Sequence, residues 1–166
     1  MRVFLILAGL VSASACAPQV VVVRQAVPNP FLHQSNRSFF VEPIRASGGA
    51  PLDTDVVFMT HVFTDRLSND LPSVTILSSK PPGPSTFLLR SMLERWQPRD
   101  FSSRWAEAEL TVQIVSPAGP VLDELRIRAS ESALAVNDLP PQLEACARQL
   151  ADRLARYLRS RTQTSR

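Results

Sequence analysis

The chain predicts an α+β fold: one domain, with a mixed or antiparallel sheet of about four to five strands packed by two helices. Three observations predict it. Two stretches, 53 to about 69 and 140 to about 159, repeat apolar residues at spacings of three and four. Two others, 107–115 and 121–129, alternate apolar with polar residues on either side of a Pro/Gly turn. Short β-branched and aromatic runs stand before and between them. The order is β-α-β-β-β-β-α.

The first core strand is 38–44 (SFFVEPI), where Phe39, Phe40, Val41 and Ile44 are apolar and Pro43 points to an edge or an end. A Gly/Pro loop follows over 45–52. Asp53, Thr54 and Asp55 then offer N-caps and negative charge to a helix start. Val56, Met59, Thr60, Phe63 and Leu67 make its buried face, with Phe58 and Val62 to one side. Leu71-Pro72 ends it, and 73–77 (SVTIL) is the second strand. A Pro-rich loop, 78–85, follows. Residues 87–96 (FLLRSMLERW) are ambiguous. Leu88, Met92 and Trp96 recur at a spacing of four, which suits one face of a strand and one face of a helix alike. In the hairpin, Leu110, Val112 and Ile114 face Leu125, Ile127 and Ala129 across the turn 116–120 (SPAGP). The last helix opens on Pro140-Pro141, which suits a first turn. Leu143, Cys146, Ala147, Leu150, Leu154, Tyr157 and Leu158 form its stripe. Glu144, Arg148, Asp152 and Arg156 form an exposed ladder, and Arg156, Arg159 and Arg161 complement the negative helix end.

The amino terminus has a different composition. Arg2 precedes an apolar block, 3–11, and the small residues Ala13-Ser14-Ala15 lead to Cys16. The block is far shorter than the roughly 20 residues a spanning helix needs. This layout resembles a bacterial lipoprotein signal, with Ala13 where that family usually has Leu. The resemblance implies removal of 1–15, lipidation of Cys16 and attachment to the membrane through acyl chains. Two or more such chains give stable anchoring. Ala17 after the cysteine, in place of Asp, implies the outer membrane facing the periplasm. Two readings compete: cleavage at an ordinary A-x-A site leaving a bare Cys16 thiol, and a leader retained as a buried element. Residues 16–37 read as the lipidated cysteine and a flexible tether, with Pro18, Pro28 and Pro30 resisting helix. Within it, Val20-Val21-Val22-Val23 has strand propensity and suits an added edge strand or a partner contact. The domain proper is 38–160, and 161–166 is a disordered tail.

Composition excludes several functions. Net charge is +3 among 166 residues, and Lys80 is the only lysine. No cluster resembles a nucleic-acid footprint. No Cys/His spacing suits zinc and no glycine loop suits phosphate, so no metal and no cofactor is expected. His33 lies in the tether. His61 lies on the polar side of the first helix four residues before Asp65, a spacing that reads as a solvated pair. Cys146 falls on the buried stripe and reads as a small hydrophobe. No Ser/His/Asp order is present, and the chain is not expected to be an enzyme. One segment stands out, 94–105 (ERWQPRDFSSRW). Trp96, Arg99, Phe101, Arg104 and Trp105 are hot-spot residue types and form the candidate partner contact. The competing reading has the Trp rings capping the core under stacked arginines.

The leader, the strand and helix through Leu77, the hairpin and the terminal helix together resemble uncharacterised bacterial envelope lipoproteins. The architecture is similar to TolB amino-terminal domains and to lipopolysaccharide-assembly lipoproteins. That resemblance leans toward strand at 87–96. It implies a non-catalytic binding or assembly component of the cell envelope, with an envelope protein as partner. The alternative it leaves open is a lipid- or glycan-binding lipoprotein with an apolar cleft along 87–96.

Overall fold

The computed structural model describes residues 19–27, 38–47, 53–71, 75–77, 83–98, 106–131 and 139–162. Seven strands and two helices lie within them: β1 (Val20–Arg24), β2 (Ser38–Val41), β3 (Arg45–Ala46), α1 (Asp53–Asp70), β4 (Thr75–Leu77), β5 (Phe87–Gln97), β6 (Ala106–Val115), β7 (Val121–Glu131) and α2 (Leu139–Thr162). They form a single α+β domain. The strands make one mixed sheet in the order β1-β7-β6-β5-β2-β4, with β3 paired to β5 beyond the end of β2. The strand count exceeds expectation by β1 and β3.

The hairpin β6–β7 forms the middle of the sheet, and its alternation is the one the sequence shows. Leu110, Val112, Ile114, Leu125, Ile127 and Ala129 are all buried. Its turn closes through Gly119 N–H to the Ser116 carbonyl at 2.8 Å, and Gly119 holds a φ of 104° that L side chains resist.

Residues 87–97 are strand, paired in parallel with β2 and antiparallel with β6. The face assignment differs from expectation. Phe87, Leu89, Ser91 and Leu93 point into the core, while Leu88 and Met92 are on the other face, half-buried. Trp96 nevertheless packs against the core. A register shift between Leu93 and Arg95 explains this, because one extra residue inverts the alternation beyond it. Trp96 then lies opposite Ala108 on the helix side, and Arg95 turns outward.

The run 38–44 is strand only to Val41. Proline at 43 has no N–H for the ladder, and the chain leaves the sheet there. The Ile44 N–H donates to Thr60 Oγ1 on α1 at 3.0 Å, and β3 then rejoins β5 at Met92 and Leu93.

Both helices cover one face of the sheet. Val56, Met59, Phe63 and Leu67 of α1 and Leu143, Cys146, Leu150, Leu154 and Leu158 of α2 join the same core as the inward residues of β2, β5, β6 and β7. Phe58 stays on the surface. The opposite face of the sheet is polar and cross-paired. Glu42 pairs with Arg90 at 3.0 Å, Gln113 with Glu124 at 2.9 Å, and Glu109 with both Arg126 and Arg128 at 3.3 and 2.7 Å.

Candidate functional site

The segment expected to be a flexible tether includes a strand. β1 pairs antiparallel with β7, with Val20 opposite Ile127 and Val22 opposite Leu125. Val20 packs on the core. The Gln19 carbonyl accepts from the Arg128 N–H at 3.0 Å. Antiparallel alternation then turns the Val21 N–H toward β7 and the N–H groups of Val20 and Val22 toward the open edge. No strand lies beyond β1 among the described residues. Val21, Val22 and Val23 are 42%, 45% and 55% exposed.

A buried polar cluster fixes the end of this strand. Asp123 lies on the inward face of β7 and is fully buried. Its Oδ1 accepts from the Ala26 N–H at 2.8 Å and from Arg161 Nη2 at 3.3 Å. Its Oδ2 accepts from the Tyr157 hydroxyl at 2.8 Å and from Arg161 Nε at 3.0 Å. Arg161 Nη2 also donates to the Ala26 carbonyl at 2.8 Å, and Gln25 Nε2 donates to the Tyr157 hydroxyl at 3.4 Å. Both carboxylate oxygens are satisfied, as a buried charge requires. Burial, reinforced by the hydrogen bond to Asp123, pushes the Tyr157 hydroxyl well above the usual tyrosine range, so it remains a donor. Arg161 was expected to serve the helix end and the start of a loose tail. Instead it is buried within α2 and ties residues 25–26 to the core. Arg159 reaches the other helix, donating to the Asp70 carbonyl at 3.3 Å.

Of the residues singled out for partner contact, Trp96 is half-buried and packs against the core. Arg99, Phe101, Arg104 and Trp105 lie outside the described residues, as do Cys16 and His33. Among the described residues no apolar cleft opens along 87–96: Phe87, Leu89 and Leu93 are fully buried in a continuous core.

His61 Nε2 lies 3.3 Å from Asp65, both largely exposed. They border a shallow groove of about 320 Å³ with Pro43, Ile44, Val56 and Thr64. The Thr60 and Thr64 hydroxyls donate to the Val56 and Thr60 carbonyls, each at 2.8 Å, so neither faces the imidazole as a nucleophile. Cys146 is buried, and burial first and Glu131 second push its thiol up to about 12. No group of three or more metal-ligating side chains gathers among the described residues. No described helix is long and apolar enough to cross a membrane.

The sequence carries a signal for the Asp123 cluster, outside any pattern of known catalytic spacing. Asp123 shares its parity with Leu125, Ile127 and Ala129, so a charge was visible on the inward face of a strand.

No family model and no curated protein sequence matches the chain. Its fold is similar to that of solved structures. PelC from Paraburkholderia phytofirmans, crystallised as a dodecamer, aligns with a TM-score of 0.58 and 11% identity over 89% of this chain and 100% of that one. An uncharacterised protein aligns at 0.52 and 14% identity over 81% and 98%. A minor lipoprotein from Acinetobacter baumannii lies further off, at 0.48 and 14% over 75% and 93%. At these identities the likeness is one of fold.

Proposed function

We propose that this chain is a lipid-anchored, non-catalytic binding and assembly component of a bacterial cell envelope, held through acyl chains on Cys16 to the outer membrane and facing the periplasm. The observation that carries the reading is β1. Its first residue stands four positions after Cys16, it forms the outer strand of the sheet, and it exposes three valines. An open strand edge of this kind is a template for another strand, and main-chain pairing supplies the affinity. PelC, which shares the fold, forms a dodecamer. That supports reading the edge as an assembly surface. The resemblance to TolB amino-terminal and lipopolysaccharide-assembly lipoprotein domains supports the envelope setting.

The clamp gives the anchor a mechanical consequence. A free tether of about 20 residues would reach some 65 Å. With β1 docked and residues 25–26 tied to Asp123 and Arg161, four peptide steps separate Cys16 from the sheet, at most about 14 Å. The domain is therefore held against the membrane, which raises its effective concentration toward partners embedded there.

The test is a carboxy-terminally tagged full chain, crosslinked in intact cells and purified from detergent-solubilised membranes for mass spectrometry. Cys16→Ala, Trp105→Ala and Val22→Arg run beside it. The expected result is a specific envelope protein, or further copies of this chain, enriched with wild type and lost with Cys16→Ala and Val22→Arg. Loss with Trp105→Ala extends the surface to the 94–105 segment. A well-anchored protein that crosslinks to nothing specific contradicts the reading.

A further inference from the structure

The open edge of β1 has a length and a parity of its own. Val20 and Val22 stand opposite Ile127 and Leu125 at the non-hydrogen-bonded positions of the β1–β7 pair, so their N–H and C=O groups point away from the sheet. No hydrogen bond reaches these groups among the described residues. The stretch is bounded at both ends. Pro18 precedes it and has no N–H to offer a neighbouring strand. The register shift between Val22 and Arg24 closes the other end, where an extra residue breaks the alternation. Exposed edges are ordinarily guarded by a charge or a proline within the strand. Residues 19–23 (QVVVV) carry neither.

A partner strand has to match this short edge, with its outward residues Val20 and Val22 and valine side chains on both faces. An identical β1, run antiparallel about a twofold axis at Val21, does so. Val20 of each copy faces Val22 of the other, and each such pair exchanges both of its main-chain hydrogen bonds. On the helix side the seam is valine against valine, and on the other face Val21 meets itself. Moving the axis breaks the match. About Val20, Val22 would face Pro18, which cannot donate. About Val22, Val20 would face Arg24, beyond the register shift. Charge favours the same arrangement. Arg24 is the single charged residue of β1, and the antiparallel pairing sets its two copies about 20 Å apart, at opposite ends of the seam. β4, at the other edge of the sheet, spans three residues. A β1–β4 contact between copies is heterologous, whereas β1 on β1 closes at two copies.

We propose that β1 pairs with β1 of a second copy of this chain, antiparallel about Val21, joining two sheets into one. The proposal rests on the reading of β1 as an assembly surface and names the partner.

The test uses the full chain expressed in bacterial cells, with Val21→Cys in a Cys146→Ala background. In the proposed register residue 21 meets itself at a non-hydrogen-bonded position, with Cα atoms about 4.5 Å apart, within disulfide reach. Membranes are oxidised with copper phenanthroline and resolved without reductant, and peptide mass identifies the joined residues. The expected result is a disulfide dimer joined through residue 21 of both copies. Val57→Cys, at a position on α1 that is 69% exposed, should give little. Val22→Pro removes an outward N–H and leaves the side of β1 that faces β7 intact. It should abolish the dimer while amide protection at Arg126 and Arg128 persists. Val22→Arg, a side-chain change at the same seam, should give the same loss. A dimer equally abundant from Val57→Cys, or indifferent to both Val22 variants, overturns the proposal. A crosslink to a different envelope protein that depends on Val22, with no disulfide between two residues 21, overturns the second copy and leaves β1 an assembly surface. Oligomers of this chain that depend on Val22 but form no such disulfide overturn the symmetric register. A chain whose crosslinks ignore both Val22 variants contradicts the proposal and the reading beneath it.

Discussion

Asp123 shows how one buried residue fixes an edge strand to its domain. Four donors converge on its carboxylate, from residues far apart in sequence: Ala26, Tyr157 and two nitrogens of Arg161. Breaking such a pair by removing one partner leaves the other charge buried. Asp123→Ala is therefore expected to cost about 3–5 kcal/mol in urea unfolding. It should also expose 19–27 to limited proteolysis before the rest of the chain. Unfolding that is global, with no earlier cleavage there, would contradict the clamp. Cys146 gives a second residue-scale prediction. An unfolded cysteine ionises near 8.5, whereas burial pushes this thiol up to about 12. Iodoacetamide at pH 8 should leave Cys146 unmodified in the native protein and modify it in urea, read by peptide mass. The linkage sign follows. Between about 8.5 and 12 the unfolded chain has lost a proton that the native chain keeps, so this group's contribution to stability declines as pH rises through that window. Tyr157, whose hydroxyl is also pushed up, adds a decline of its own above about pH 10, so the group is isolated between about 8.5 and 10, where wild type should lose stability and Cys146→Ala should not. Both residues were marked in the sequence by their parity or spacing. Cys146 was read from its place on the helical stripe. Asp123 and Arg153 occupy equally inward positions but are charged, and a search for known catalytic spacings passes over them.

At the scale of elements, legibility followed the strength of the period. The hairpin β6–β7 and both helices stand near their expected limits because long runs repeat one periodicity. Residues 87–97 did not reveal themselves, since a spacing of four satisfies strand and helix alike, and the shift between Leu93 and Arg95 reverses the face of Trp96 by a feature no side-chain pattern encodes. β3 was invisible because two residues have no period, and its strand character comes only from pairing with β5. β1 was legible as a strand-prone valine run, yet its partner was not, because β7 lies about a hundred residues away. The strand's hold on the sheet is testable directly. Val21→Pro removes the N–H that alternation points at β7 while changing a side chain that is 42% exposed. It is expected to free residues 19–27 with a loss of about 3 kcal/mol or less, seen as fast amide exchange in β7 at Arg126 and Arg128. Val22→Pro, whose N–H faces the open edge and whose side chain is 45% exposed, should cost clearly less. Equal costs would refute the assigned alternation.

The whole molecule is a two-layer structure with one core, both helices on one face and charge pairs on the other. Its stability rests on that single interior. Leu110→Ala, at a fully buried site in the central hairpin, should lower unfolding free energy by about 2–5 kcal/mol with an unchanged denaturant slope. None of the core residues identifies a reaction or a ligand, which is why the fold was readable from patterning while the function was not. The proposed binding role rests on the edge of the sheet: the valine strand and the buried polar cluster that fixes its end. The valine strand begins four residues after Cys16, and the account depends on what is attached there. The direct measurement is the intact mass of the protein extracted from bacterial membranes, with Cys16→Ala as control. The account predicts a chain that begins at Cys16 and carries the mass of a diacylglyceryl group and a further acyl chain, with the control lost from the membrane fraction. A chain that keeps residues 1–15, or begins at an unmodified Cys16, contradicts it.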